Sequence, residues 1–168
     1  MNTNNIKTVK REFLVCGFTL IELLVVIAII GILAGLLFPV LKAARDRGKE
    51  TKARSEVHQL NTALKVVLLD YRVWPSPFSG GGGDVSGNYF KFLNGTNSAG
   101  VCYYEFSQVS LAAGAFLDPW KNIYKVVCGD GSVTTPHGTF KRDVAVWSKG
   151  QDGLDGTAAQ QADDIKSW

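Results

Sequence analysis

Histidine and cysteine are scarce, at two and three residues in a chain of 168. His58 and His137 fall in different segments, with no cysteine–acid pattern beside either. Neither a zinc-type cluster nor a Cys/His catalytic pair is spelled out. No serine sits in a nucleophile elbow. The glycine run at residues 80–83 lacks the G-K-[ST] ending of a phosphate loop and reads as a flexible connector. The acidic residues do not follow EF-hand spacing. Charge of one sign is also missing: 18 Lys+Arg oppose 15 Asp+Glu, a net +3. Without a basic stripe interleaved with aromatics, nucleic acid is a poor candidate partner. No catalytic constellation emerges, so the chain does not read as an enzyme.

What is present begins at the N-terminus. Residues 1–17 are polar and basic, with Lys7, Lys10 and Arg11 against Glu12. Gly17-Phe18-Thr19-Leu20-Ile21-Glu22 follows, and apolar residues then run almost unbroken to Leu41. As a helix, residues 18–41 would span roughly 35 Å, enough for the hydrocarbon core of a bilayer. A secretory signal has a shorter apolar stretch with small residues after it. Here the small residue, Gly17, comes first, so cleavage there keeps the apolar segment on the mature chain. One carboxylate, Glu22, stands where lipid disfavours charge, which marks it as a residue with a partner. Gly31 and Gly35 form a G-x-x-x-G pair, and Pro39 follows. These fit either a bendable segment or a small-residue contact face.

Residues 42–73 continue the helix in amphipathic form. Glu50 and Arg54 are four apart, in the favourable order for a helical ion pair. Val57, Leu60, Leu64, Val67 and Tyr71 recur at three- and four-residue steps and define one apolar face. Trp74-Pro75-Ser76-Pro77 ends the helix. In the remainder, residues 89–93 suit a short helix, and residues 101–106, 123–128 and 140–147 suit strands. The chain thus reads as α+β: a long N-terminal helix, membrane-spanning in its first half, packed on a small antiparallel sheet domain at 74–168 with an acidic C-terminal loop.

The motif at Gly17 to Glu22 resembles the class III signal of type IV pilin-like proteins. Asp118-Pro119-Trp120-Lys121-Asn122-Ile123-Tyr124 is similar to the D-P-W-G-x-P-Y stretch of the major pseudopilin of type II secretion systems. Lys121 and Ile123 depart from it where that family has glycine and proline. Trp147-Ser148-Lys149-Gly150-Gln151-Asp152-Gly153 resembles its S-L-G-A-D-G loop. Residues 162–168, ending in Trp168, resemble its D-A-D-I-x-x-W ending.

The resemblance implies that a prepilin peptidase cuts after Gly17 and methylates the amine of Phe18. It implies an inner-membrane subunit, single pass, with the C-terminal domain in the periplasm. From the lipid bilayer that subunit joins a homopolymeric pseudopilus, with minor pseudopilins and an inner-membrane assembly platform as further partners. Glu22 of an incoming subunit would neutralise the Phe18 amine of its neighbour in an apolar setting. Lys42, Arg45, Arg47 and Lys49 follow the apolar run, and the positive-inside rule counts them toward the cytoplasm. The leader signal sets the opposite orientation. Two other readings stand: a type IV pilin of a surface fibre, and a singly anchored envelope enzyme or binding protein.

Two features of the C-terminal half remain. Asp152, Asp163 and Asp164 are hard oxygen donors near glycines, which suits either an exposed acidic tail or a calcium site. The resemblance favours Ca2+, with carbonyls near Lys149 and Leu154 completing the shell. Cys102 and Cys128 form either a disulfide in an oxidising compartment or two separate thiols. Cys16 would leave with the leader.

Overall fold

Residues 18–107, 111–112 and 114–168 are described by a computed structural model of the chain. Gly17 and Cys16 lie outside the described residues. The chain divides into two units, Met1–Ala43 and Ala44–Trp168. One helix, α1 (Leu20–Tyr71), contributes to both.

In the first unit α1 is apolar and bare. An 18-residue stretch has mean hydropathy 3.0 and none of it is buried. This length and composition suffice to cross a membrane. Gly31 and Gly35 have open space where a side chain would sit. Pro39 lies inside the helix without ending it.

In the second unit the face of α1 expected from the periodicity is the one that packs. Val57, Leu60, Leu64 and Val67 are fully buried, and Tyr71 packs at the margin. They join one core with Phe78, Phe116, Tyr124, Val126 and Val146. Glu50 and Arg54 pair across one helical turn at 2.9 Å on the solvated side. The helix stops where Arg72 takes a φ of 63° while its N–H still bonds the Leu68 carbonyl.

A four-stranded antiparallel sheet runs in the order β1 (Gly82–Asp84), β4 (Lys125–Cys128), β7 (Val144–Ser148), β8 (Ile165–Lys166). Hairpin β2–β3 (Leu111–Ala112, Ala115–Phe116) and hairpin β5–β6 (Val133–Thr135, Gly138–Phe140) stand beside it. A short helix, α2 (Gly87–Leu93), follows β1. Central strand β7 is buried at all of its positions, whereas β4 alternates.

Three sequence expectations change. The glycine run is not a loose connector throughout, because Gly82–Asp84 forms edge strand β1 on β4. A Cβ at Gly82 would stand 2.6 Å from the Val126 carbonyl oxygen, so glycine is what permits this close pairing. Residues 101–106 make only an isolated bridge, Asn94 with Cys102, rather than a strand. Their aromatics Tyr104 and Phe106 are drawn into the core instead. The expected strand at 140–147 is broken into the end of β6 and the start of β7 by a bend, in which the Arg142 N–H bonds the Phe140 carbonyl.

Among the described residues Cys102 and Cys128 carry free thiols, so the disulfide alternative is not the one adopted. Cys128 is buried on β4 opposite Val144, whereas Cys102 is exposed near the end of α2 with its Sγ 3.5 Å from the Tyr104 carbonyl. Burial pushes the Cys128 thiol up to about 12, which keeps it unreactive.

Candidate functional sites

The first site is the start of α1. Thr19 occupies the N-cap position and Glu22 the third helical position. The Thr19 N–H and hydroxyl both donate to Glu22 Oε2, at 2.8 and 2.6 Å. In return the Glu22 N–H reaches Thr19 Oγ1 at 3.3 Å. This is a capping box, which satisfies amides that a helix start leaves open. Its T-x-x-E spacing is legible in the sequence, though Glu22 alone attracts notice there. Both hydrogen bonds from Thr19 fall on Oε2. Phe18 and Ile21 flank the carboxylate and are exposed. The arrangement therefore presents an ordered carboxylate on an otherwise apolar surface.

The second site is built where the two C-terminal motifs meet. Asp118 is its hub. Its Oδ1 accepts the N–H groups of Trp120 and Asn122 at 2.9 and 2.8 Å, and its Oδ2 accepts the Ser148 hydroxyl at 2.6 Å. Ser148 Oγ in turn accepts the Gly150 N–H at 3.1 Å, and Asn122 Nδ2 donates to the Gly150 carbonyl at 2.8 Å. Burial raises the Asp118 carboxyl above its ordinary range, and the hydrogen bonds from Ser148 and its backbone neighbours hold it back. Gly150 has a φ of 63°, and a Cβ there would lie 2.3 Å from the Asp163 carbonyl oxygen. Glycine at 150 is thus required for the C-terminal segment to lie against this turn.

The acidic loop sits on that scaffold. Asp163 Oδ2 accepts the N–H groups of Gln151 and Asp152 at 2.6 and 3.0 Å. Asp152 Oδ1 accepts the Leu154 N–H at 2.8 Å. Lys149 Nζ lies 3.7 Å from Asp155 Oδ1. Asp164 differs: its side chain is fully buried and neither oxygen has a well-aligned hydrogen-bond donor. Its carboxyl is pushed up to about 7, first by burial, with Lys166 opposing and Asp163, Asp155 and Asp152 adding repulsion. The loop therefore brings Asp152, Asp163 and Asp164 into one region together with Asp155. Among the described residues, however, no three acidic, histidine or cysteine side chains converge as a metal cluster. What suits an oxygen-seeking cation is the chemistry of the donors and the buried, undonated Asp164 carboxylate.

Sequence reasoning did not name Asp155, and it met Thr19, Asp118, Asn122 and Ser148 only as motif letters and His137 only as an isolated histidine, without a role for any of them. The last stands with Nε2 3.1 Å from Asp164 Oδ2. No spacing signal connects a residue in the β5–β6 turn to one 27 positions later.

Comparison with known proteins bears on both sites. Residues 15–38 match the prokaryotic N-terminal methylation motif. The chain is 31% identical over 152 residues to the type II secretion system core protein G of Klebsiella michiganensis, covering 90% of this chain and 92% of that one. Core protein G of Escherichia coli K12 is also 31% identical, covering 90% of each chain. The type IV major fimbrial protein FimA of Dichelobacter nodosus is 46% identical over 54 residues, 32% of this chain and 35% of its own. No solved structure matches. Since a relative 31% identical is matched over 90% of this chain and 92% of its own length, the chain belongs to the type II secretion system core protein G family.

Proposed function

We propose that the chain is the polymer-forming major pseudopilin of a type II secretion system, a structural subunit and not an enzyme. One observation carries this reading: similarity to core protein G over 90% of the chain is joined to an exposed apolar stretch of α1 that opens on an ordered carboxylate. An exposed helix of this kind needs lipid before assembly and other helices after it. Cleavage after Gly17 would free the Phe18 amine for methylation by a prepilin peptidase. Glu22 then supplies the opposite charge to the amine of a neighbouring copy. In an apolar setting that attraction is strong, and a misregistered subunit would leave both charges unpaired. Minor pseudopilins and an inner-membrane assembly platform complete the partner set. The subunit waits in the inner membrane with its C-terminal unit in the periplasm.

Glu22→Ala tests this reading. Processing should continue, while recovery of fibres in a shearing assay falls severalfold or is lost. Wild-type fibre yield from that variant would remove the assembly role of Glu22. The shorter similarity to FimA supports a surface-pilus reading for the N-terminal third only.

The C-terminal loop is proposed to take calcium through Asp152, Asp163 and Asp164, with carbonyls near Lys149 and Leu154. Calcium supplies the positive charge that a buried carboxylate lacks, and an all-oxygen, loop-built donor set suits it. A cation that binds only the folded state raises the melting temperature. Melting of the Ala44–Trp168 segment should shift upward by several degrees in calcium relative to chelator. Identical curves, or an Asp163→Ala variant that responds like the parent, would refute the site.

A further inference from the structure

We propose that His137 is the resident counterpart of Asp164: its imidazole stands at the carboxylate face a cation would otherwise take. It thereby holds the C-terminal segment on the β5–β6 hairpin without metal. The inference deepens the calcium reading of this loop and rests on it for the competition described below.

Two buried side chains carry the argument. Asp164 Oδ2 and His137 Nε2 are 3.1 Å apart, with side chains 0% and 3% exposed. Neither group makes a well-aligned hydrogen bond, with the other or with any third group, so what joins them is this close approach inside a buried pocket that the Gln161 side chain also borders. A carboxylate so enclosed is costly unless a donor or a positive charge accompanies it. Asp152, Asp155 and Asp163 contribute only repulsion. Lys166 is the nearby cation, yet its Nζ is turned to the Gln161 carbonyl at 3.3 Å. The imidazole is the group in contact.

Its placement does not depend on Asp164. The His137 N–H is fixed in the hairpin turn by Thr135 Oγ1 at 3.1 Å. Its ring meets Trp147 and Trp168 edge-on, with centroids 5.8 and 5.5 Å away. Trp168 is itself held by Phe140 at 4.8 Å and by the Arg142 guanidinium 5.5 Å from its ring. Gln161 adds a hydrogen bond from Nε2 to the Pro136 carbonyl at 3.1 Å. The hairpin and the last tryptophan thus present a preorganised imidazole to Asp164. Imidazole and calcium must compete for the same carboxylate, so His137 weakens calcium binding while making closure independent of it.

The test uses the full chain in detergent, with amide hydrogen exchange localised to residues 162–168 and calcium binding by calorimetry. The parent is compared with His137→Phe, which keeps a ring between the tryptophans but removes both nitrogens. His137→Gln, which restores a donor, guards against a packing artefact. In EDTA the parent segment should stay protected, the Phe variant should lose protection, and the Gln variant should recover part of it. Calcium should restore protection to the Phe variant and bind it about tenfold more tightly than the parent, the worth of one polar contact to a carboxylate. A parent segment that opens in EDTA, or a Phe variant as protected as the parent, overturns the proposal. Weaker calcium binding by the Phe variant would make His137 a ligand and overturns it too. If no form binds calcium, the calcium reading fails, and the EDTA comparison alone decides the role of His137.

Discussion

Lys121 adopts a φ of 75°, a left-handed conformation that a side chain disfavours. It sits in the turn closed by Asp118, whose carbonyl accepts the Lys121 N–H at 3.0 Å. The resembling family motif has glycine here, and the backbone explains why. Lys121→Gly should stabilise the C-terminal unit by about 1 kcal/mol, the cost of a non-glycine residue in this region. Urea unfolding of the Ala44–Trp168 segment measures it, and an unchanged or lower midpoint would show that the Lys121 side chain offsets its own strain. Tyr124 shows a different residue-scale device. It is fully buried, and its hydroxyl donates to Glu56 Oε2 at 2.6 Å. Lys52 lies 3.6 Å from Glu56 Oε1 one helical turn away. A buried polar contact between α1 and the residue that leads into β4 accepts few alternative partners, so it sets which helix residues face the sheet.

At the scale of elements, edge strand β1 depends on the absence of side chains. Its pairing with β4 matches Gly82 to Val127, and the Cys128 N–H extends the ladder to the Gly81 carbonyl. Gly82→Val would drive a side chain into the Val126 carbonyl oxygen and the Val127 side chain. The strand should detach, at a cost of about 1–3 kcal/mol, typical of overpacking. Hydrogen exchange at the Cys128 amide should accelerate while the β4–β7 ladder stays protected. Retained protection at Cys128 would show that the edge tolerates a side chain. The capping box at the start of α1 is also an element-scale feature. It aligns Glu22 by hydrogen bonds from Thr19 alone.

At the scale of the molecule, the two units differ in what they expose. The first leaves Leu20, Ile32, Leu36 and Phe38 bare along α1, a surface suited to lipid or to other helices. The second buries its apolar face internally and carries the loop chemistry. If the first unit anchors the chain with the leader inside, a phosphatase reporter fused after Trp168 should be active only on the periplasmic side. Activity of a cytoplasmic reporter at that position would reverse the orientation and side with Lys42, Arg45, Arg47 and Lys49 in the positive-inside count.

Sequence by itself determined whatever depends on neighbours a few residues apart. The bare half of α1 follows from an apolar run, its buried face from a helical period, and the Glu50–Arg54 pair from a spacing of four. The motifs around Asp118 and Gly150 were legible as family marks, although the hydrogen bonds that join them were not. Tertiary structure alone decided the contacts between residues far apart in the chain. It made part of a glycine run into an edge strand, because β4 offered a backbone close enough that only glycine fits. It left Cys102 and Cys128 apart, one at the end of α2 and one on β4. It set His137 against Asp164, because the β5–β6 turn and the returning C-terminal segment bury the same small volume. Periodicity reports which face of an element is apolar; which charged or polar group meets another across that face depends on how the chain folds back on itself.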